Sequence, residues 1–326
     1  MHPPSPDPAV RRILDWYAGH ARDLPWRRPD AGAWGVLVSE VMLQQTPVSR
    51  VLAPWHAWMS RWPTPPMLAA DTPADAIRMW GRLGYPRRAL RLHRAAEVIT
   101  VDHGGIVPAD PGELRTLPGI GEYTAAAVAS FAYRRRVPVL DTNVRRLLAR
   151  LALGRAFPAG HLGREERALA ESWCPADPAR AARWAAASME LGALVCTARA
   201  PRCPDCPVAD LCRWRAAGHP DGGQRPRSQS WEGTDRQCRG AILALLRAAD
   251  APVPTEDLRD IWPPRRASDT GQFDRALGSL EADGLAVSDG AGWSLPDRLP
   301  GRAPQPCHNG GVAPARRATP RGSEKP

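Results

Sequence analysis

Glu40 lies in Val38-Ser39-Glu40-Val41-Met42-Leu43-Gln44-Gln45-Thr46, with apolar neighbours on both sides. A glutamate alone on a helix is ordinarily solvated. Apolar surroundings argue for partial burial, which raises a carboxyl pKa and suits it to give up a proton near neutral pH. A second carboxylate, Asp141, follows Val137-Pro138-Val139-Leu140 and precedes the helical stretch Thr142-Asn143-Val144-Arg145-Arg146-Leu147-Leu148. There it can cap the helix, and capping would orient it for chemistry at the same time.

Twenty residues before Asp141 stands a glycine turn, Leu117-Pro118-Gly119-Ile120-Gly121-Glu122-Tyr123-Thr124-Ala125, that opens a helix. Gly119 and Gly121 let the backbone approach a phosphate closely, and the free N–H groups of the helix start can donate to it. This is the hairpin of a helix-hairpin-helix element, a device that grips a DNA backbone without reading its bases. Arg82, Arg87, Arg88, Arg91 and Arg94 form one basic run, and Arg134, Arg135, Arg136, Arg145, Arg146 and Arg150 form others around the hairpin, which strengthens the nucleic-acid reading.

Cys196, Cys203, Cys206 and Cys212 fall in the pattern C-x6-C-x2-C-x5-C, within 17 positions, while Cys174, Cys238 and Cys307 stand alone. Four soft thiolates in one loop-rich segment suit zinc or a [4Fe-4S] cube, and spacing by itself does not separate the two. Arg199 and Arg202 lie between the first two cysteines, where a cluster would hold a short basic loop against a phosphate.

The elements that must position these groups are mostly helices. Apolar residues recur at three and four spacing over Trp34 to Leu43, Val48 to Trp58, Ala74 to Trp80, Ala89 to Ile99 and Thr124 to Ala132, which predicts an all-α domain of about ten helices over residues 8–216. Residues 217–234, rich in glycine, proline and polar groups, read as a linker. Residues 235–296 then give helices over Asp235 to Ala248, Thr255 to Trp262 and Gln272 to Asp283, followed by a β-hairpin turning at Asp289-Gly290, the order of a winged helix. Residues 297–326, poor in apolar residues and rich in Pro, Gly and Arg, read as a disordered tail. The fold class expected is mostly α, a helix-hairpin-helix domain with a cysteine loop at 196–212, plus a small C-terminal winged-helix-like α+β domain.

The 326 residues carry a net charge of +10, consistent with a polyanionic partner. No apolar run is long enough to span a bilayer, and the first residues lack the order of a secretory signal, so a cytoplasmic chain with reduced cysteines is expected. Lys325 is the single lysine, which leaves a mechanism built on a catalytic amine almost nowhere to stand.

Taken together these motifs resemble the helix-hairpin-helix DNA glycosylases with a [4Fe-4S] cluster, and among them the MutY-type adenine DNA glycosylases. The resemblance runs from Leu24-Pro25-Trp26-Arg27 through the Glu40 segment, Gly81-Arg82-Leu83-Gly84-Tyr85, the hairpin, the Asp141 segment and Met189-Glu190-Leu191-Gly192-Ala193-Leu194-Val195-Cys196 to the four cysteines. It implies base excision on double-stranded DNA containing A:8-oxoguanine or A:G mispairs, by a monomer that carries a [4Fe-4S] cluster on Cys196, Cys203, Cys206 and Cys212. Glu40 would protonate N7 of adenine and Asp141 would stabilise the oxocarbenium-like sugar, a pair of carboxylates of opposite protonation. The resemblance further implies that Tyr123 and Asn143 support the transition state, that Gln45 and Tyr85 wedge into the duplex, that Gly119, Gly121, Arg199 and Arg202 meet the DNA, and that Trp26 and Glu190 help form the pocket for the flipped base.

Tyr123 stands where bifunctional relatives carry a Schiff-base lysine, so a monofunctional enzyme is implied. Endonuclease III-like and mismatch thymine glycosylases lack a glutamate at the position of Glu40, and an iron-sulfur DNA-binding regulator would leave both carboxylates unexplained. Two features depart from the family: Pro86 replaces a second tyrosine, and the Nudix-like domain that reads 8-oxoguanine has no counterpart in residues 235–296, which are too short for it.

Overall fold

A computed structural model describes residues 6–220, 231–262 and 271–297. The helices predicted from periodicity are present as α2 (Gly32–Leu43), α3 (Val48–Arg61), α5 (Pro73–Trp80), α6 (Arg87–Asp102) and α8 (Glu122–Tyr133). Among the described residues up to Ala216 there are twelve α-helices where about ten were expected. The excess comes from short pieces, α4 (Pro65–Ala70) and α12 (Arg213–Ala216), whereas the short α7 (Pro111–Thr116) is announced by its Asp110-Pro111 start. One or two turns are too short to reveal a 3.6-residue period.

Two apolar cores make up this part of the chain. The first gathers α2 to α8 around Trp34, Trp58, Trp62 and Trp80. The second joins α1 (Pro6–His20) to α9 (Thr142–Leu153), α10 (Arg164–Trp173) and α11 (Pro178–Leu194), so the N-terminal helix completes the C-terminal half. Between them runs α8, whose residues Thr124 to Ser130 are all buried. Its alanines let α2 approach on one side and α11 on the other, as side chains larger than a methyl would not.

Beyond the linker, whose residues 221–230 lie outside the described residues, come α13 (Asp235–Ala248), α14 (Thr255–Asp260), α15 (Gln272–Ala282) and a hairpin of β1 (Val287–Ser288) and β2 (Trp293–Ser294). Val287 pairs with Ser294 and Ser288 with Trp293. Asp289 closes the turn by accepting the N–H groups of Ala291 and Gly292. Val253, between α13 and α14, bridges to Trp293 through two backbone hydrogen bonds. The unit rests on the first: Ala74 and Ile77 of α5 and Leu90 of α6 share one apolar cluster with Ile242, Phe273 and Leu280. The tail expected at 297–326 lies outside the described residues from 298 onward. No helix among the described residues is long and apolar enough to cross a membrane.

Candidate active site

α2 is buried on every face, from Trp34 to Met42, so Glu40 has no solvent side to occupy and is only 5% exposed. One carboxylate oxygen accepts a hydrogen bond from the Tyr123 hydroxyl of α8 at 2.8 Å. Burial lifts the Glu40 carboxyl from 4.5 to about 7; the Tyr123 hydrogen bond opposes the shift and the negative charge of Asp141 adds to it. Burial, with Glu40 and Asp141 nearby, also holds the Tyr123 phenol well above its ordinary value, so it remains a donor at neutral pH.

Asp141 is both a cap and a member of this site. One of its oxygens accepts the Val144 N–H at 2.6 Å, fixing the start of α9, and the other accepts the Asn143 side-chain amide at 2.6 Å. Burial pushes its carboxyl upward, while these donors favour the charged form. Asn143 is in turn held by Arg146, whose Nη2 donates to its Oδ1 at 2.9 Å and whose Nε donates to the Cys196 carbonyl at 2.8 Å. A hydrogen-bonded line therefore connects the cysteine loop to Asp141. Gly192 of α11 is indispensable here, because a Cβ there would lie 2.8 Å from the Asn143 backbone oxygen.

A cavity of about 580 Å³ opens beside Glu40, lined also by Arg22, Trp26, Arg27, Arg183 and Met189. It exceeds a purine base in size. Glu190, expected in the pocket, stands behind it instead: fully buried, it accepts from Arg22 at 2.7 Å and Arg27 at 2.9 Å, and the two arginines line the cavity. Despite its burial, these arginines hold the Glu190 carboxyl down to about 2. Sequence inspection gives Arg22 no role, since its partner lies 168 positions away.

At the hairpin, Gly119 adopts φ +82° and a Cβ there would meet the Arg91 side chain at 2.7 Å. A Cβ on Gly121 would meet nothing within 4 Å, and no side chain caps α8, so this helix start is open to an anion. Arg91 thus lies against the hairpin. Other arginines of the basic runs are engaged within the protein: Arg88, Arg146 and Arg150 are buried, and Arg136 and Arg145 pair with Glu171 and Glu166. Arg199 and Arg202 are exposed. Gln45 and Tyr85 are exposed as well, both with positive φ.

Cys196, Cys203, Cys206 and Cys212 line one cavity with Arg150 and Trp214. Burial raises the Cys206 thiol to about 11, with the other three cysteines adding to the shift. Among the described residues no three His, Cys, Asp or Glu groups converge to chelate a single ion. Four thiols lining one cavity fit a [4Fe-4S] cube, which takes one thiolate at each iron.

The burial of Glu40 sets a stability expectation. A carboxyl that titrates at about 7 when folded and near 4.5 when unfolded contributes its full stability below pH 4.5 and loses it as pH rises to 7. Above that the chain carries a buried charge. Glu40→Gln should therefore be more stable than the parent at pH 8 by roughly 3 kcal/mol, and nearly equal to it at pH 4.5. Denaturation of both proteins at the two pH values checks this; a pH-independent difference would contradict it.

Residues 38–175 match the family model described as HhH-GPD superfamily base excision DNA repair protein, and residues 196–212 match the iron-sulfur binding domain of endonuclease III. The cysteine loop is accordingly the seat of a [4Fe-4S] cluster. The adenine DNA glycosylase of Mycobacterium tuberculosis is 52% identical over 276 residues, 84% of this chain and 89% of that protein. The human adenine DNA glycosylase is 42% identical over 212 residues, 62% of this chain and 38% of that protein. Among solved structures, a thermostable thymine-DNA glycosylase superposes with a TM-score of 0.59 at 25% identity, over 65% of this chain and 97% of that one. A trapped endonuclease III–DNA covalent intermediate superposes at 0.56 and 22% identity, over 65% and 96%, a likeness of fold alone. With a helix-hairpin-helix fold, an iron-sulfur loop and this identity along the full glycosylase region, the chain belongs to the adenine DNA glycosylase family.

Proposed function

We propose that this chain is a monofunctional glycosylase of base excision repair that releases adenine paired with 8-oxoguanine or guanine in double-stranded DNA, acting as a monomer in the cytoplasm. The observation that carries this reading is Glu40: a buried carboxylic acid on a cavity wall, half protonated near neutral pH, near a second carboxyl, Asp141, whose two oxygens accept from the Asn143 amide and the Val144 N–H. Adenine leaves poorly as an anion, so its departure needs a proton on the base and negative charge at the sugar.

In this reading the adenine turns out of the duplex into the cavity beside Trp26. The carboxylic acid of Glu40 gives its proton to N7, and the C1′–N9 bond breaks with its electrons going to the base. Asp141, oriented by Asn143 and the Val144 N–H, faces the positive charge left on the sugar. A water then forms the C1′–O bond and sheds a proton, leaving an abasic site. Tyr123 holds Glu40 in place, while Gly119, Gly121, Arg91, Arg199 and Arg202 hold the phosphates, and Gln45 and Tyr85 fill the space the adenine leaves. Cys196, Cys203, Cys206 and Cys212 would hold the [4Fe-4S] cluster, which would brace the loop that carries Arg199 and Arg202.

We further propose that residues 8–216 form the glycosylase domain and 235–296 a winged-helix-like unit. The Val253–Trp293 bridge supports this, since it supplies the third short strand that a winged helix places between its first two helices.

The test is a base-release assay on A:8-oxoguanine, A:G and A:C duplexes, with T:G beside them. Adenine release from the first two, strand cleavage only after hot alkali, and no covalent complex trapped by borohydride are expected, because no lysine precedes Lys325 and the N-terminal amine is the one other candidate for a Schiff base. Thymine release from T:G in place of adenine release, or efficient borohydride trapping, would overturn the reading.

A further inference from the structure

Arg88 is 5% exposed, and like the buried Arg146 and Arg150 it has no carboxylate among its hydrogen-bond partners; it differs from them in joining the end of one helix to the turn before another. Its guanidinium is spent on two turns at once. Nη1 donates to the carbonyls of Val41 at 2.8 Å, Met42 at 3.0 Å and Gln44 at 2.6 Å, the last groups of α2, which the helix itself leaves unsatisfied. Nη2 donates to the Thr46 hydroxyl and to the Gly84 carbonyl, both at 3.0 Å. Its plane lies 5.4 Å from the centre of the Tyr85 ring and 5.1 Å from that of Trp80. The negative end of the α2 dipole takes the place of a counter-ion, and the cation persists at neutral pH although burial lowers its pKa to about 10.

The two turns share a second property. Gln45 has φ +56° and Tyr85 φ +46°, a left-handed backbone that side-chain-bearing residues adopt unfavourably, and both side chains project into solvent. Tyr85 also precedes Pro86, whose ring further restricts it. Such conformations persist where surrounding contacts over-determine them. The Thr46 hydroxyl, bonded to Arg88 and within 3.5 Å of the Leu83 carbonyl, closes the link between the turns.

We propose that Arg88 is a positioning residue that locks the Gln45 and Tyr85 turns into one double wedge. It never meets DNA; it sets the spacing of two side chains that do. This rests on the reading of Gln45 and Tyr85 as the residues that enter the duplex.

The test uses the full chain with its cluster and an A:G duplex carrying 2-aminopurine beside the mispaired adenine, whose fluorescence reports unstacking. Arg88→Met keeps the length and removes every donor, and Arg88→Lys keeps one charge with fewer directions of donation. Arg88→Met should slow unstacking about tenfold with duplex affinity changed less than threefold, and Arg88→Lys should fall between it and the parent. Tyr85→Ala and Gln45→Ala should each slow unstacking, and adding Arg88→Met to a chain that already carries both should cost little more, because Arg88 acts through the two of them. Full additivity, or Arg88→Met molecules that fold and unstack the mispair at the parent rate, would overturn the proposal. Should Arg88→Met fail to fold, Arg88→Lys decides: its folded fraction unstacking at the parent rate is the overturning result. If instead Tyr85→Ala and Gln45→Ala both leave unstacking unchanged, the wedge reading itself fails, whatever Arg88 does.

Discussion

Glu40→Gln is expected to lower the single-turnover rate of adenine release by about 10²–10⁴-fold, the usual contribution of a positioned general acid. The amide fills the same volume and still accepts from Tyr123, so the cavity keeps its shape. Duplex affinity should stay within about tenfold, because the proposed phosphate contacts lie elsewhere, at the hairpin and the cysteine loop. The loss should persist at every pH, whereas the parent rate at subsaturating duplex should fall as pH rises through about 7, where Glu40 gives up its proton. Rapid-quench measurement of both proteins between pH 5 and 9 checks this. Substantial adenine release by the variant would remove Glu40 from the acid role.

Asp141→Asn should be as damaging, for two reasons that act together. A neutral amide offsets none of the sugar's developing charge, and charge stabilisation of this kind is worth about 10²–10³-fold or more per group. The second reason is geometric: Asn143 already donates its amide to one Asp141 oxygen and the Val144 N–H donates to the other. An amide nitrogen at either position would face a donor. α9 should nevertheless form, since asparagine caps helices about as well as aspartate. The expected outcome is a protein with near-parent thermal midpoint and duplex binding but no measurable turnover. Retention of a tenth or more of the parent rate would assign the sugar charge to another group.

Pattern alone made much of this architecture legible. The predicted limits of α2, α3, α5, α6 and α8 agree with the structure to within three residues, and those of α13 agree fully, because long amphipathic or uniformly apolar stretches have one way to bury themselves. The same holds for the glycine turn, whose backbone needs are local. Short helices such as α4 and α12 were not legible, since they are set by what packs on them. The basic runs were read less well: sequence gives the sign of a side chain but not its direction. Arg88, Arg146 and Arg150 turn inward to carbonyls and a cysteine, leaving Arg91 against the hairpin.

The sequence by itself determined which groups are available: two carboxylates in apolar or capping surroundings, four cysteines in one loop, a glycine turn that opens a helix, and no lysine before position 325. Those are properties of residue type and short spacing. Tertiary structure alone decided how they act. Glu40 titrates at about 7 because α2 lies between α3 and α8 with no wet face. Glu190 moves from the pocket to a place behind it because Arg22 and Arg27, more than 160 residues distant, fold over it. Arg88 serves two turns 40 residues apart because α6 crosses the end of α2. A pKa, a pocket wall and a clamp each depend on atoms brought together from distant segments, and no local pattern encodes that.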